Sequence, residues 1–195
     1  MKLTENRVYD LLAAFRSSDP TPGGGSASAL AGAIGASLLA MVAGLAKPRT
    51  ATDDETAELR TAGGRCTDLA VVLEQLVDRD SDAYKLVMDA YRLPKLTDDD
   101  KAWRAAAIQD AFKEATEAPL AVMRRCSEAL GLVPVVDRLG NANAASDVKV
   151  AIYLLRAALA GAAANVAINL GSLKDAGYVQ KVRDEAAALE KTTND

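Results

Sequence analysis

Residues 20–46 read PTPGGGSASALAGAIGASLLAMVAGLA. Three glycines, Gly23, Gly24 and Gly25, stand between a proline and Ser26, and no charge follows until Lys47. A helix opens here, with Ser26 as its N-cap. The uncharged run is long enough to cross a bilayer, but it is built of Ala, Gly and Ser, which predicts a buried helix of a soluble bundle. Ala29, Ala33, Ala36, Ala40 and Ala43 recur at steps of three and four, and Gly32 and Gly35 widen that surface. The spacing predicts a second backbone lying close along it. Free N–H groups and the positive dipole end of the helix would face the glycine loop, which suits an anion or a carbonyl oxygen. The loop serves equally as a tight connection between two helices. It is not a Walker A loop, since no Gly-Lys-Ser/Thr follows, nor a dinucleotide fingerprint, since its glycines are contiguous and no strand precedes them.

Composition points the same way. The chain has 195 residues, half of them apolar, with 4% aromatics. Alanine-rich, aromatic-poor sequence argues for an all-α fold, and the length suits one domain over residues 1–195. A net charge of −4 argues against a nucleic-acid partner. There is no histidine, which removes His-based triads and disfavours a metal centre, so acid–base work falls to carboxylates, lysine, tyrosine or water. Cys66 and Cys126, with no CxxC, read as reduced core residues of a cytoplasmic protein. The first apolar residues are interrupted by Glu5, Arg7 and Asp10, unlike a signal peptide, and no membrane association is expected.

Around the central stretch the chain reads as further helices. Thr4 is placed to cap a first helix carrying Val8, Leu11, Leu12 and Phe15. After Lys47-Pro48-Arg49, residues 52–55 form a capping box that opens a third helix. There Leu59, Ala62, Cys66, Leu69, Leu73 and Leu76 step by alternating threes and fours, a heptad seam. Gly63-Gly64 inside it marks a kink or a close approach. Continuing the seam places Asp80 on a core-facing position, where a carboxylate needs a partner, a proton or a ligand. Alternatively the helix turns slightly, Val77 and Tyr84 take the seam, and Asp80 sits at its edge in a salt bridge.

Pro94 ends that helix, and residues 97–100 cap the next. Pro119 is expected to kink or divide it, with a second part over 120–130 ending at Gly131 and a short helix over 134–139. In the turn GNANAASD at 140–147, Asn141 and Asn143 suit turn geometry and Ser146 or Asp147 caps the last major helix, about 148–173. On that helix Leu154, Ala158, Gly161, Asn165, Ile168 and Asn169 share one side. Its two amides must find partners if buried, either on neighbouring helices or on a polar heterocycle. A short terminal helix carries Val179 and Val182.

These stretches together resemble the cyclodeaminase/cyclohydrolase family, which includes the C-terminal domain of formiminotransferase-cyclodeaminase and stand-alone bacterial methenyltetrahydrofolate cyclohydrolases. The resemblance rests on PTPGGGSASALAGAIGASLLAMV at 20–42, DSDAYKLVMDAYRLPK at 80–95, APL around Pro119, GNANAASD at 140–147 and NVAINLGSLKD at 165–175. It implies an all-α single-domain bundle of long helices, a tetrahydrofolate substrate, no metal or other cofactor, and a homodimer. It carries ligand-facing roles onto Gly23, Gly24, Gly25, Ser26, Asn141, Asn143, Ser146 and Asp147, with Asn165 and Asn169 on the last helix, and places Asp80 at the chemistry. The family's segment after the second helix has a glycine, several lysines and a tyrosine. Here Lys47 keeps one cation and the tyrosine is absent.

The activity implied is hydrolysis of 5,10-methenyltetrahydrofolate to the 10-formyl form. Asp80 would stabilise the cation, orient the water or take its proton, and Lys47 would return a proton or hold the glutamate tail. Cyclodeamination of 5-formiminotetrahydrofolate is the alternative; the chain carries no formiminotransferase segment, which favours the hydrolase. A non-catalytic folate-binding or interaction protein is a third reading, favoured if Asp80 is ion-paired away from any pocket.

Overall fold

The structure, a computed structural model, describes residues 2–45 and 52–191. Its helices are α1 (Val8–Phe15), α2 (Gly24–Gly44), α3 (Asp53–Arg92), α4 (Asp98–Leu139), α5 (Ala145–Leu170) and α6 (Ala176–Lys191), with 3-10 turns at Leu3–Glu5 and Ala142–Ala144. Among the described residues there is no strand.

Helix α2 is the centre of an up-down-up-down four-helix bundle. Positions 43, 32 and 25 face 63, 73 and 80 on α3, and positions 35, 32 and 24 face 155, 158 and 165 on α5. Both neighbours are therefore antiparallel to α2. The ion pairs Glu58–Arg138, Arg65–Glu128 and Arg79–Glu114 step in opposite directions along α3 and α4. They are exposed enough to fix register more than to stabilise. The small residues of α2 do what their spacing predicts. A Cβ on Gly32 would stand 2.8 Å from the Cys126 sulfur, and one on Gly35 would stand 3.0 Å from the Ala151 carbonyl. Ala29, Ala33, Ala36 and Ala43 are buried. Both α2 and α5 are long and apolar enough to cross a bilayer by composition; here they pack against each other.

The seam on α3 is buried from Leu59 to Leu76. The capping box at Thr52 and Glu55 is formed. Gly63 is a close approach rather than a kink: its missing Cβ makes room for Ala43, and α3 runs unbroken for 40 residues.

Three sequence expectations are corrected. Thr4 does not cap a helix. Its hydroxyl donates to Asp78 on α3 (3.2 Å), as does the Leu3 N–H (2.6 Å), and α1 starts separately after Arg7. Of the apolar set on α1, Leu11 is buried, while Val8 and Leu12 are exposed. Nor does Pro119 divide α4, which continues for 42 residues through both Pro119 and Pro134. A proline leaves the carbonyl four residues earlier without its helical donor. For Pro119 that carbonyl is Ala115, and the Asn169 side-chain amide on α5 donates to it at 2.7 Å. Finally, α5 spans Ala145–Leu170, beginning and ending three residues before the expected limits. Its buried ridge is Ala151, Leu155, Ala158, Ala162, Val166 and Leu170, which leaves Ile168 exposed.

Helix α6 closes the α4/α5 side. Arg124 pairs with Glu185 and Glu117, and Val182 is buried in the main core. Beyond the start of α2, α3 and α4 continue as a two-helix arm with a separate small core of Ala83, Val87, Ala90, Ala111 and Ala115.

Candidate active site

The first turn of α2, the start of the α3 extension and the last turns of α5 converge at the root of this arm. Gly23, not Ser26, is the N-cap, and it offers no side chain to the helix. The cap comes from α3 instead. Asp80 Oδ2 accepts from the Ser26 N–H at 2.9 Å and lies 3.2 Å from Ser26 Oγ. A carboxylate against a helix N-terminus satisfies an orphan donor and meets the positive end of the dipole. Gly25 is required for this approach. A Cβ there would stand 2.7 Å from Oδ2 and closer still to the rest of the carboxylate.

Asp80 is half-buried, and burial raises its carboxyl above the ordinary range, while the two Ser26 contacts pull it down. Each reading of the seam holds in part: Val77 enters the core and Asp80 stands at the edge, but Tyr84 is exposed and Ala83, Val87 and Ala90 are buried. Its partner there is a helix end rather than a cation. Among the described residues Oδ1 takes no protein hydrogen bond, so one carboxylate oxygen is fixed and the other is free.

Ser26 is fully buried. Its hydroxyl also donates to the Val77 carbonyl at 2.8 Å and touches Ser81 Oγ at 3.2 Å. It lies beneath Asp80 and does not line an open surface. Gly24 is exposed, and a Cβ on it would stand 3.3 Å from the Asn165 Nδ2. Asn165 in turn donates to the Gly161 carbonyl at 2.8 Å. Asn169 lies one turn further on, committed to Ala115. Gly23–Ser26, Asp80, Asn165 and Asn169 thus form one neighbourhood.

The 140–147 segment is elsewhere. A Cβ on Gly140 would stand 2.9 Å from Val42, near the far end of α2. Asn141 accepts from the Asn143 N–H at 3.0 Å, building the 3-10 turn. Neither Ser146 nor Asp147 caps α5, whose N-cap is Ala144. With 21 residues in α2, this turn lies about 30 Å from the glycine loop within one chain. Lys47 lies outside the described residues.

Two further features carry no sequence signal of their own. Ser81 underlies Ser26, and it could have been found only from the seam shifting by one residue past Leu76. The Asn169–Ala115 bond could have been anticipated from the carbonyl that Pro119 orphans. Cys66 and Cys126 are free and buried, and burial pushes their thiols up to about 11 and about 12. A cavity of about 760 Å³ runs between α1, α2 and α3 past Leu11, Leu30, Ile34, Leu38, Met41 and Val71. It does not include Asp80, and its apolar lining suits packing more than chemistry.

Residues 7–188 match the family described as formiminotransferase-cyclodeaminase. The chain belongs to this family. It is 40% identical to a methenyltetrahydrofolate cyclohydrolase of Methylorubrum extorquens over 93% of this chain and 88% of that protein. It is 30% identical to the formimidoyltransferase-cyclodeaminase of Mus musculus over 86% of this chain, which spans 31% of that longer protein. A formiminotetrahydrofolate cyclodeaminase from Thermotoga maritima superposes with a TM-score of 0.88 at 24% identity, covering 99% of this chain and 92% of that one. That likeness establishes the all-α family fold.

Proposed function

We propose that the protein hydrolyses 5,10-methenyltetrahydrofolate to 10-formyltetrahydrofolate. The observation that carries this reading is the Asp80 carboxylate, held by Ser26 through one oxygen with the other free. The methenyl carbon lies between two nitrogens in a cationic amidinium, already electrophilic, so the reading assigns no metal or cofactor. The free oxygen of ionised Asp80 attracts the cation and accepts a proton from the attacking water. Collapse of the tetrahedral adduct forms the formyl C=O as its hydroxyl proton is released to solvent, breaks the bond from carbon to N5 and leaves the formyl group on N10. The proton on Asp80 passes to the departing nitrogen. The N–H of exposed Gly24 and the amide of Asn165 are assigned to polar edges of the heterocycle, and Lys47 remains the proposed cation for the glutamate tail. The 40% identical relative carries the same activity in its name. Longer relatives named as cyclodeaminases support the alternative of formimino substrate and ammonia release, which needs the same bound heterocycle.

A homodimer is part of the proposal. Ile34 and Met41 on α2 and Val150, Tyr153 and Ile168 on α5 are exposed apolar residues on sparsely charged helices, a face that calls for cover. A twofold axis across α2 near Ile34 would lay the glycine loop of one subunit beside the partner's 140–147 turn. That would join the two groups of family residues that one chain keeps apart. We place the protein in the cytoplasm, without membrane or nucleic-acid partners, in keeping with its reduced thiols and negative charge.

The deciding experiment follows the near-ultraviolet band of the methenyl substrate. Loss of the band in proportion to protein supports the hydrolase, while its appearance from the formimino substrate alone supports the deaminase. Asp80→Asn should fold and lose at least about 100-fold in turnover; near-normal turnover would remove Asp80 from the mechanism. Mixing inactive Asp80→Asn and inactive Asn143→Ala chains should restore about a quarter of the sites if the pocket is shared across a twofold axis. No restoration on exchange would refute the shared pocket.

A further inference from the structure

The polar core beneath Asp80 holds more hydroxyl groups than capping requires. Ser26 Oγ lies 2.8 Å from the Val77 carbonyl, 3.2 Å from Asp80 Oδ2 and 3.2 Å from Ser81 Oγ. A hydroxyl carries one hydrogen. Val77 O and ionised Asp80 only accept, so Ser26 can serve one of them at a time. Ser81 is buried, with Ser26 Oγ as its one described side-chain partner, so its hydrogen goes to Ser26.

We propose that Ser26 and Ser81 are positioning residues whose hydroxyl hydrogens follow the charge on Asp80. The inference rests on the reading of Asp80 as the base. When Asp80 is ionised, Ser81 donates to Ser26 and Ser26 donates to Oδ2, beside the Ser26 N–H on the same oxygen. When the free oxygen Oδ1 has taken the proton from water, Oδ2 needs the second bond less, and the Ser26 hydrogen returns to Val77 O, the nearer acceptor. One hydrogen rotates and no heavy atom moves. The carboxylate thus passes between base and acid with its geometry held, which a reaction that takes a proton and then returns it requires.

No described charge adds to the influences on Asp80, although Lys2 and Glu5 of the N-terminal turn line a cavity with Ser81. The first turn of α2 carries no acidic residue, and α5 is uncharged from 157 to 171. From α4 the neighbouring Glu114 is paired with Arg79. On α3 itself Asp78 accepts from Leu3 and Thr4, and Asp82 is paired with Lys85. The influences on the Asp80 carboxyl are burial and Ser26.

The test compares the acidic limb of the kcat profile, and the titration of the Asp80 carboxyl carbon by NMR, in wild type, Ser26→Ala, Ser81→Ala and Ser81→Thr. Loss of the Ser26 hydroxyl should move both upward by about one pH unit, since a bond to a charged acceptor is worth more than one to a neutral acceptor. Loss of the Ser81 hydroxyl should move both by roughly 0.3 unit through weakened cooperativity. Ser81→Thr, which keeps a hydroxyl, should restore the wild-type value. A carboxyl titration unmoved in both alanine variants would overturn the inference, even with a lowered melting temperature. The carboxyl titration is read without turnover. An active Asp80→Asn would therefore remove the base assignment while the titration still decides whether the hydroxyls answer to Asp80.

Discussion

Replacing Gly25 with alanine puts a methyl group where the Asp80 carboxylate lies, 2.7 Å from Oδ2 and nearer to Cγ and Oδ1. The helix backbone on one side and the α3 backbone on the other are fixed by packing, so the carboxylate must swing away. It then loses the hydrogen bonds from the Ser26 N–H and hydroxyl. Bonds to a charged acceptor are worth about 1.5–3 kcal/mol each. Asp80 is half-buried and regains water on moving, so the net loss for the pair is about 2 kcal/mol. Alanine returns up to about 1 kcal/mol of helix propensity. The balance is a destabilisation of about 1–2 kcal/mol, a fall of roughly 3–6 °C in Tm for a chain of this size. Turnover should fall by about 100-fold, because the base is displaced. The decisive measurement is a double-mutant cycle read by urea denaturation. In an Asp80→Ala background the obstacle is gone, and Gly25→Ala should be neutral or stabilising, a coupling of about 2 kcal/mol. An equal loss in both backgrounds would show that the methyl strikes backbone, and the account of Gly25 would fail.

Asn169→Ala should cost about 1–2 kcal/mol by leaving the Ala115 carbonyl unpaired, and less in a Pro119→Ala background, where residue 119 regains an N–H; equal costs in the two backgrounds would refute the compensation. Asp80 is raised from its ordinary value near 3.8 by burial, so its folded form holds the proton more tightly than the unfolded chain does. Its contribution is complete below about pH 4 and is lost as pH rises through the folded value. Asp80→Asn should therefore gain stability relative to wild type between pH 4 and pH 7, and a difference that does not change with pH would contradict this. With thiols pushed up to about 11 and about 12, Cys66 and Cys126 should resist a thiol reagent at pH 8 in the native protein and both react in denaturant; rapid native labelling would show that the burial is wrong.

The fold was legible wherever local chemistry and packing agree. The heptad seam, the capping box at Thr52, the cap at Thr97 and the alanine–glycine face of α2 are each set by neighbouring residues, and each appears as read. The errors lie where a distant residue supplies what the local sequence lacks. Pro119 looks like a break until Asn169 provides the missing donor across α4 and α5. Ser26 looks like an N-cap until Asp80 takes that role from 54 residues away. Thr4 is drawn off to Asp78 in the same way. At the site, Asp80 was visible as a carboxylate on a core-facing position. Its partner was not, because periodicity records that a residue faces inward and says nothing about what meets it. The separation of Gly24 from Asn143 along the bundle was equally hidden, since a motif gives order in the chain and not distance in space.

The arm formed by α3 and α4 has a consequence for motion. From Asp80 to Arg92 α3 extends about 18 Å, and over that length it is buttressed by α4 through a core made largely of alanine. Such a segment can open at far lower cost than the bundle, as a unit of its own. Asp80 and its serine partners stand at the hinge side of that unit, on the part of α3 still clasped by α2. The outer wall beside the carboxylate therefore rests on a thinner core than the bundle, tied on its α4 side by Gln109 and Lys113 to residues 172–175, while the carboxylate itself is held by the main core.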